Sequence, residues 1–384
     1  MKKTSIIILV LIFCLNAIFT TGCWNYREID QLSIVAGLAI DKGIKEKFQM
    51  TVELIKISGG KDTKMESKTI SAEGKTMFDA ARNIIALSGK RLYWSHTKVI
   101  IISKEIASEG IIQVMDWYNR DAETREDVNI LISKDESAKE IFSGQDIVED
   151  IKSITLDEII KNQVALSKSP LTDILKYDIE SKNKEDSIII PTVKLEKIDE
   201  KMVPQVLGTA IIKNDKLIGF LDAEDTKALI FIRNEIKGGL LTEEIQASHS
   251  TTSVSLEIFK NKTIVTPVVD GKDITINLNI DTTVAIDEIQ GTENLIDDEG
   301  KKKLEQFAEK KLQERIETLI MKVQSEYDAD IFRFAAKLRE GKPKVWKNMR
   351  SDWEEVFKNL KVNVKTKLHI KGSSVLSKTI GEGE

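Results

Sequence analysis

A chain of 384 residues, 41% hydrophobic and 31% charged, has the composition of a globular protein long enough for two or three domains, not of a disordered or polytopic membrane protein. A formal net charge of -5 does not suit a nucleic-acid binder and offers no general attraction to an anionic membrane. The two cysteines, Cys14 and Cys23, both lie near the amino terminus, so disulfides, thiolate metal sites and cysteine nucleophiles are not expected in the body of the chain.

Lys2 and Lys3 precede an apolar run from Ile6 to Phe19, broken by Asn16. The run is shorter than the about 20 apolar residues that a bilayer span requires. A basic head, a short apolar core and then small residues are the layout of a secretory signal. This one ends in Gly22-Cys23. Lipoprotein signals are cut just before a cysteine whose thiol takes a diacylglyceryl group, and a small Gly22 lets the peptidase close on that bond. Residues 1–22 therefore read as a lipoprotein signal peptide and Cys23 as the lipid attachment site. The alternative is an ordinary secretory signal with a coincidental cysteine. No later apolar run approaches spanning length, so the lipid is the membrane attachment the sequence predicts. Two acyl chains hold a protein without help from charge.

Ser33 to Asp41 and Phe48 to Ile57 read as strands of a meander, and Lys61 to Ser71 as an exposed loop. Thr76, with Asp79 three residues on, opens a helix that Gly89 stops. Arg91 to Ser103 reads as a strand, Ile106 to Tyr118 as an amphipathic helix and Asp127 to Ser133 as a half-buried strand. Ser137 to Glu180 is polar and helical, with Ser169-Pro170 as an N-cap followed by Pro at the first helical position. Ser187 to Lys197 is a strand that Pro191 restricts to an edge or a bulge. A boundary near Asp199 to Pro204 separates an N-terminal region, 23–200, from a C-terminal domain, 203–374. The former is divisible into 23–135 and 136–200.

The second half opens with a hairpin, Gln205 to Ile212 and Leu217 to Leu221, over Asn214-Asp215. A helix, Glu224 to Ile236, precedes Gly238-Gly239. Thr252 to Lys260 and Thr263 to Val269 are read as strands turning at Asn261-Lys262. Asp270-Gly271 is a hairpin signal into Lys272 to Ile289. From Lys301 to Tyr327 a long helix carries Leu304, Phe307, Ala308, Leu312, Ile316, Leu319, Ile320 and Val323 on one stripe. Short helices, Ala329 to Leu338 and Asp352 to Phe357, and an alternating strand, Leu360 to Lys371, close the chain. The fold class is α+β and multi-domain, with mostly antiparallel sheets packed against helices and one long helix on a sheet in the C-terminal domain.

Candidate sites are few. His96 is read as fixing the entrance to the core, with an interface role as the alternative. His249 and His369 are far from it in sequence and share no metal-ligand spacing. Arg120, Asp121, Glu123 and Arg125 read as an exposed charged turn, with a binding or acid–base cluster as the alternative. Trp24 and Tyr26 beside the anchor suit either the headgroup level or a seat on the first domain. There is no nucleophile elbow, phosphate loop or Ca²⁺ loop.

Four segments carry a resemblance. They are Cys23-Trp24-Asn25-Tyr26-Arg27-Glu28-Ile29; Gly74-Lys75-Thr76 with Ala80 to Asn83 and then Trp94-Ser95-His96-Thr97-Lys98; Asn119 to Arg125; and Tyr327 to Phe334, leading to Pro343, Trp346, Trp353 and Phe357. In this order, over nearly the whole mature chain, they resemble the Ger(x)C family, the lipoprotein C subunits of bacterial nutrient germinant receptors; the family usually has Asp in place of Asn25. The resemblance implies a non-enzymatic α+β subunit without cofactor or metal, lipid-anchored on the outer face of the spore inner membrane. Its implied partners are a polytopic A subunit and a transporter-like B subunit, with no nucleic acid. Trp24, Arg27, His96 and Arg120 are the interface candidates. A solute-binding lipoprotein serving a transporter is the alternative; it needs two α/β lobes around a cleft. An extracellular hydrolase finds no assembled nucleophile and base.

Overall fold

The structure is a computed structural model and describes residues 4–8, 28–58, 64–145, 150–183, 185–246, 251–271, 273–291 and 293–371. Cys23, Trp24, Arg27 and His249 lie outside the described residues.

The first strands, β1 (Leu32–Lys42), β2 (Phe48–Ser58) and β3 (Lys64–Gly74), form an antiparallel meander. The loop expected over Lys61 to Ser71 is thus mostly strand. β3 is the outermost strand of its sheet, so its side chains stay polar while β2 supplies the backbone partners. After α1 (Met77–Ser88), the expected long strand is split into β4 (Arg91–Tyr93) and β5 (Val99–Ile102), with a turn at Ser95 and His96. The amphipathic helix that follows is two helices, α2 (Lys104–Glu109) and α3 (Ile112–Arg120). The break is at Gly110, where φ is 136°. There the carboxylate of distant Asp215 accepts the Ile111 and Ile112 amides at 3.1 and 2.7 Å. β6 (Asn129–Ser133) forms where expected but is not half-buried: it lies between β5 and β7 in the parallel centre, with Ile130 and Ile132 buried on one face and Leu131 on the other.

The polar helical stretch resolves into α4 (Lys152–Lys161), α5 (Gln163–Leu166) and α6 (Ile174–Glu180). The cap of α6 is Asp173, whose carboxylate accepts the Lys176 amide at 2.7 Å, and not Ser169. Ser169 is buried, its hydroxyl engaged by the Gly208 carbonyl. β7 (Ile188–Ile198), β8 (Lys201–Lys213) and β9 (Lys216–Leu221) complete the first sheet, and Pro191 stands at a register shift of the β7–β8 pair. The boundary expected near Asp199 to Pro204 falls on the β7–β8 turn. The hairpin expected to open the second half is hydrogen-bonded into the first sheet.

That sheet has nine strands in the order β3-β2-β1-β5-β6-β7-β8-β9, with β4 beside β1. Its flanks are antiparallel, while β1, β5, β6 and β7 pair in parallel at the centre. A parallel centre is covered on both faces, which explains why Val99 to Ile102 are all apolar and buried. Ile100 and Ile102 face the layer of α1, α2, α3 and α6; Val99 and Ile101 face α4 and the turn of helix around Ile141.

After α7 (Ala223–Ile232) comes the second sheet: β10 (Leu240–Gln246), which the sequence reading omitted, β11 (Thr251–Asp270), β12 (Asp273–Gln290) and β13 (Lys361–Ile370). β11 runs straight through the expected turn at Asn261-Lys262, absorbing irregularity as register shifts on either side of Leu256 and Ile258. The Asp270-Gly271 hairpin forms as expected, with Gly271 at φ 60°. The long helix α8 (Asp298–Lys322) lays Leu304, Ala308, Leu312, Ile316, Leu319 and Ile320 on this sheet, while Phe307 remains half-buried. α8 also covers the β13 edge: Glu309 accepts the Leu368 amide at 3.0 Å and Glu305 the Ile370 amide at 2.8 Å. α9 (Phe334–Gly341), α10 (Pro343–Met349) and α11 (Trp353–Lys358) connect α8 to β13.

One helix joins the two sheets. Every residue of α7 from Thr226 to Ile232 is buried. A single apolar cluster runs from Ile189, Ile211 and Leu221 of the first sheet, through α7, to Leu256 and Ile276 of the second. Thr226 meets Thr209 of β8 at 2.8 Å, and the Phe231 carbonyl accepts Thr263 of β11 at 2.7 Å. A helix apolar all round has core on every side. Phe231→Ala is therefore expected to cost about 3–5 kcal/mol, read as a lowered urea midpoint for the whole chain.

Candidate functional site

The motif residues collect in two places. At the first, Gly74 lets β3 approach α1: a Cβ there would lie 2.2 Å from the Ala80 nitrogen. Thr76 caps α1 by accepting the Asp79 amide at 3.1 Å, and Asp79 accepts the Lys75 amide at 2.9 Å. Trp94 meets Trp117 edge-on at 5.4 Å, and Trp117 meets Phe78 at 6.1 Å. The Ser95 hydroxyl donates to the Glu123 carbonyl at 2.8 Å and Arg91 pairs with the Glu123 carboxylate at 2.7 Å, so the segments around 95 and 123 meet.

His96 does not fix the entrance to the core. It is exposed, its ring 5.7 Å from that of Tyr93, and buried Trp94 and Thr97 on either side take the interior positions. A turn can send only some of its side chains inward, and here His96 is the one sent out. Arg120 is also exposed, pairing with Asp116 one helical turn back at 2.8 Å. Arg125 grips Asp127 through two contacts of 2.8 and 2.7 Å. These are exposed ion pairs, screened by water and weak. The Ser95 hydroxyl is spent on a carbonyl, and Glu123 on Arg91, so the neighbourhood holds no nucleophile–base pair. His369 lies on β13, 3.7 Å from Asp281. Among the described residues no His, Cys, Asp and Glu side chains group as a metal set.

The second place lies between the sheets. Arg233, directly after α7, has a fully buried side chain. Its guanidinium contacts the Glu180 carboxylate of α6, Glu235 at 2.9 Å and the Ile331 carbonyl at 3.1 Å. Lys176 holds the other oxygen of Glu235 at 3.0 Å. Burial opposes the Arg233 charge, yet Glu235 and Glu180 hold its pKa above the usual arginine value. Burial opposes the Glu235 charge as well, but Arg233 and Lys176 override it and bring that carboxyl down to about 2. Further pairs line the seam: Asp186 with Arg339 at 2.9 Å, Glu185 with Arg350 at 3.7 Å, and Lys213 with the Asp328 carbonyl at 2.6 Å. Asp330, buried, accepts the Phe334 and Ala335 amides at 3.1 and 2.7 Å; burial pushes its pKa up to about 6. Tyr327 seats its ring over Gly219 of β9 and donates to the Phe220 carbonyl at 3.0 Å. Sequence reasoning missed Arg233, Glu180 and Glu235. The signal for them is a charged residue set hard against the apolar run Ala228 to Ile232.

Residues 25–195 match the family described as spore germination protein N-terminal domain, and residues 207–374 match spore germination B3/GerAC like, C-terminal. The chain belongs to the spore germination GerAC family. Spore germination protein B3 of Bacillus subtilis (strain 168) is 26% identical over 92% of this chain and 94% of its own length. Spore germination protein A3 of the same organism is 26% identical over 95% and 96%, and GerQC of Bacillus cereus is 21% identical over 95% and 98%. The crystal structure of the GerBC protein shares the fold at a TM-score of 0.60 and 22% identity, covering 90% of this chain and all of that one. The seam between the two GerAC matches falls at the β7–β8 turn, so the C-terminal match begins inside the first sheet.

Arg233→Ala leaves the buried Glu180 carboxylate without its close partner, while Glu235 keeps Lys176, and is expected to cost about 3–5 kcal/mol. Glu180→Ala leaves Arg233 paired with Glu235 and should cost less, so their urea midpoints rank in that order. The pH dependence has two opposite parts. Asp330 takes up its proton in the folded chain near pH 6 and in the unfolded chain only near its ordinary value of about 3.9. Its contribution is complete below pH 4 and lost as the pH rises through 6. Glu235 adds stability above its ordinary value of about 4.3 that is lost as the pH falls toward 2. Asp330→Asn should therefore gain stability relative to wild type between pH 4 and 6, seen in urea midpoints taken across that window.

Proposed function

We propose that this chain is the C subunit of a nutrient germinant receptor, held by acyl chains on Cys23 at the outer face of the spore inner membrane. It acts by contact with the membrane A and B subunits and carries out no reaction of its own. The observation that carries this reading is the order of its parts: two spore germination matches together span residues 25–374, directly behind a signal ending in Gly22-Cys23. Relatives covered over nearly their full length are named as spore germination proteins. Among the described residues no helix is long and apolar enough to cross a membrane. At the motif sites Arg91, Glu123, Arg120 and Arg125 form ion pairs and Asp79 and Asp330 accept backbone amides, as suits a protein that presents surfaces. A solute-binding lipoprotein needs two lobes free to close on a cleft. Here α7 gives the two sheets a common core, which favours the receptor reading.

Deletion of the chain is expected to abolish germination on the nutrient its receptor serves; normal germination on every nutrient would sink the proposal. Cys23→Ala is expected to move the protein from the membrane to the aqueous fraction and to remove the diacylglyceryl mass from its amino terminus. Fractionation and mass spectrometry read both.

A further inference from the structure

We propose that the end of the first sheet where β1 begins faces the lipid bilayer, with Leu87 and Lys90 at headgroup level. This rests on the anchor at Cys23 proposed above and assigns the surface it presses against the membrane. Four residues separate Cys23 from Glu28, five Cα-to-Cα steps with a reach of about 17–18 Å when fully extended. Glu28 is itself fixed in place: its carbonyl accepts the Gln31 amide at 3.1 Å, and β1 starts at Leu32, paired with Arg91 of β4. The acyl chains therefore enter the bilayer within one short tether of the β1–β4 start.

The opposite end of β1 is too far to exchange places with it. β1 has 11 residues, about 36 Å at the usual rise of about 3.3 Å per residue. The β1–β2 turn, with Ile44, lies beyond it. Were that turn against the bilayer, Glu28 would stand at about twice the reach of its tether.

The near end also has suitable chemistry. Leu87, in the last turn of α1, is 65% exposed. Gly89 and exposed Lys90 lead from it into β4. The turn of His96 and Lys98 stands further up β1, the Lys98 amide donating to the Ala36 carbonyl at 2.7 Å, and is not part of this end. Lysines such as Lys90 are drawn to lipid phosphates. Glu28 and Asp30 are exposed at the same end. The tether, not charge, thus sets the orientation.

In the processed chain Cys23 is acylated and Cys14 is gone with the signal, so a single added cysteine can be labelled selectively. Lys90→Cys and Ile44→Cys, the latter at a site 91% exposed, would each carry an environment-sensitive fluorophore. The lipidated chain is purified from membranes and placed in phosphatidylglycerol–phosphatidylcholine vesicles bearing a headgroup quencher. Quenching several-fold stronger at position 90 than at 44 is the expected result. Equal quenching would mean that the sheet lies along the membrane, stronger quenching at 44 that it is inverted, and none at either site that the body is held off; each overturns the proposal. Cross-linking of position 90 to a membrane protein in place of quenching would hand the surface to that partner and overturn it too. If the chain did not float with the vesicles at all, the anchor reading itself would fail.

Discussion

The charge on Arg233 is the constraint around which the two sheets are arranged. A guanidinium with no exposed surface would cost several kcal/mol if left unpaired. Its partners come from three directions: Glu180 at the end of α6, Glu235 just beyond α7, and the Ile331 carbonyl before α9. No one of these segments satisfies it alone. The guanidinium's donors are therefore all filled only when α6, the segment after α7 and the turn before α9 are in place together. Such a pair is poor at adding net stability over an apolar substitute. It is good at fixing one arrangement, because any sliding of α7 leaves a buried ion exposed to a low-dielectric interior.

The same logic recurs on a smaller scale in the first half. Its helices are short, and several begin without a local side-chain cap. Remote carboxylates fill that role. Asp41 of β1 accepts the Ala138 and Lys139 amides at 2.6 and 3.0 Å. Glu53 of β2 accepts the Lys152 and Ser153 amides at 2.9 and 2.8 Å. Asp215 serves Ile111 and Ile112 from the β8–β9 turn. Each cap satisfies orphan amides and places a negative charge at the positive end of a helix. Each also ties a helix to a strand about a hundred residues away, so the layers of the first half lock in register.

Family motifs often invite a search for chemistry, yet in this molecule their residues mostly build the frame. Gly74 is a contact distance, Thr76 a cap, Trp94 part of an aromatic cluster, and Tyr327 a plug over Gly219. Asp330 tethers the start of α9. In this chain the motif residues hold two sheets about one buried helix, while His96 and Arg120 stand on the surface.

Local pattern was enough for much of this. The alternation in β13, the stripe on α8, the Thr76 and Gly89 punctuation of α1 and the turns at Asn214-Asp215 and Asp270-Gly271 depend on neighbours in sequence, and each was legible there. What failed was everything set by distant partners. β3 is a strand because β2 lends it hydrogen bonds, β11 continues through Asn261-Lys262 because β12 runs alongside, and β8 and β9 belong to the first sheet because β7 is there to pair with. His96 points outward and Arg233 inward for the same reason. Side-chain period and turn chemistry are written within a few residues, whereas strand partnership and the neutralisation of a buried charge exist only once segments about a hundred residues apart have met.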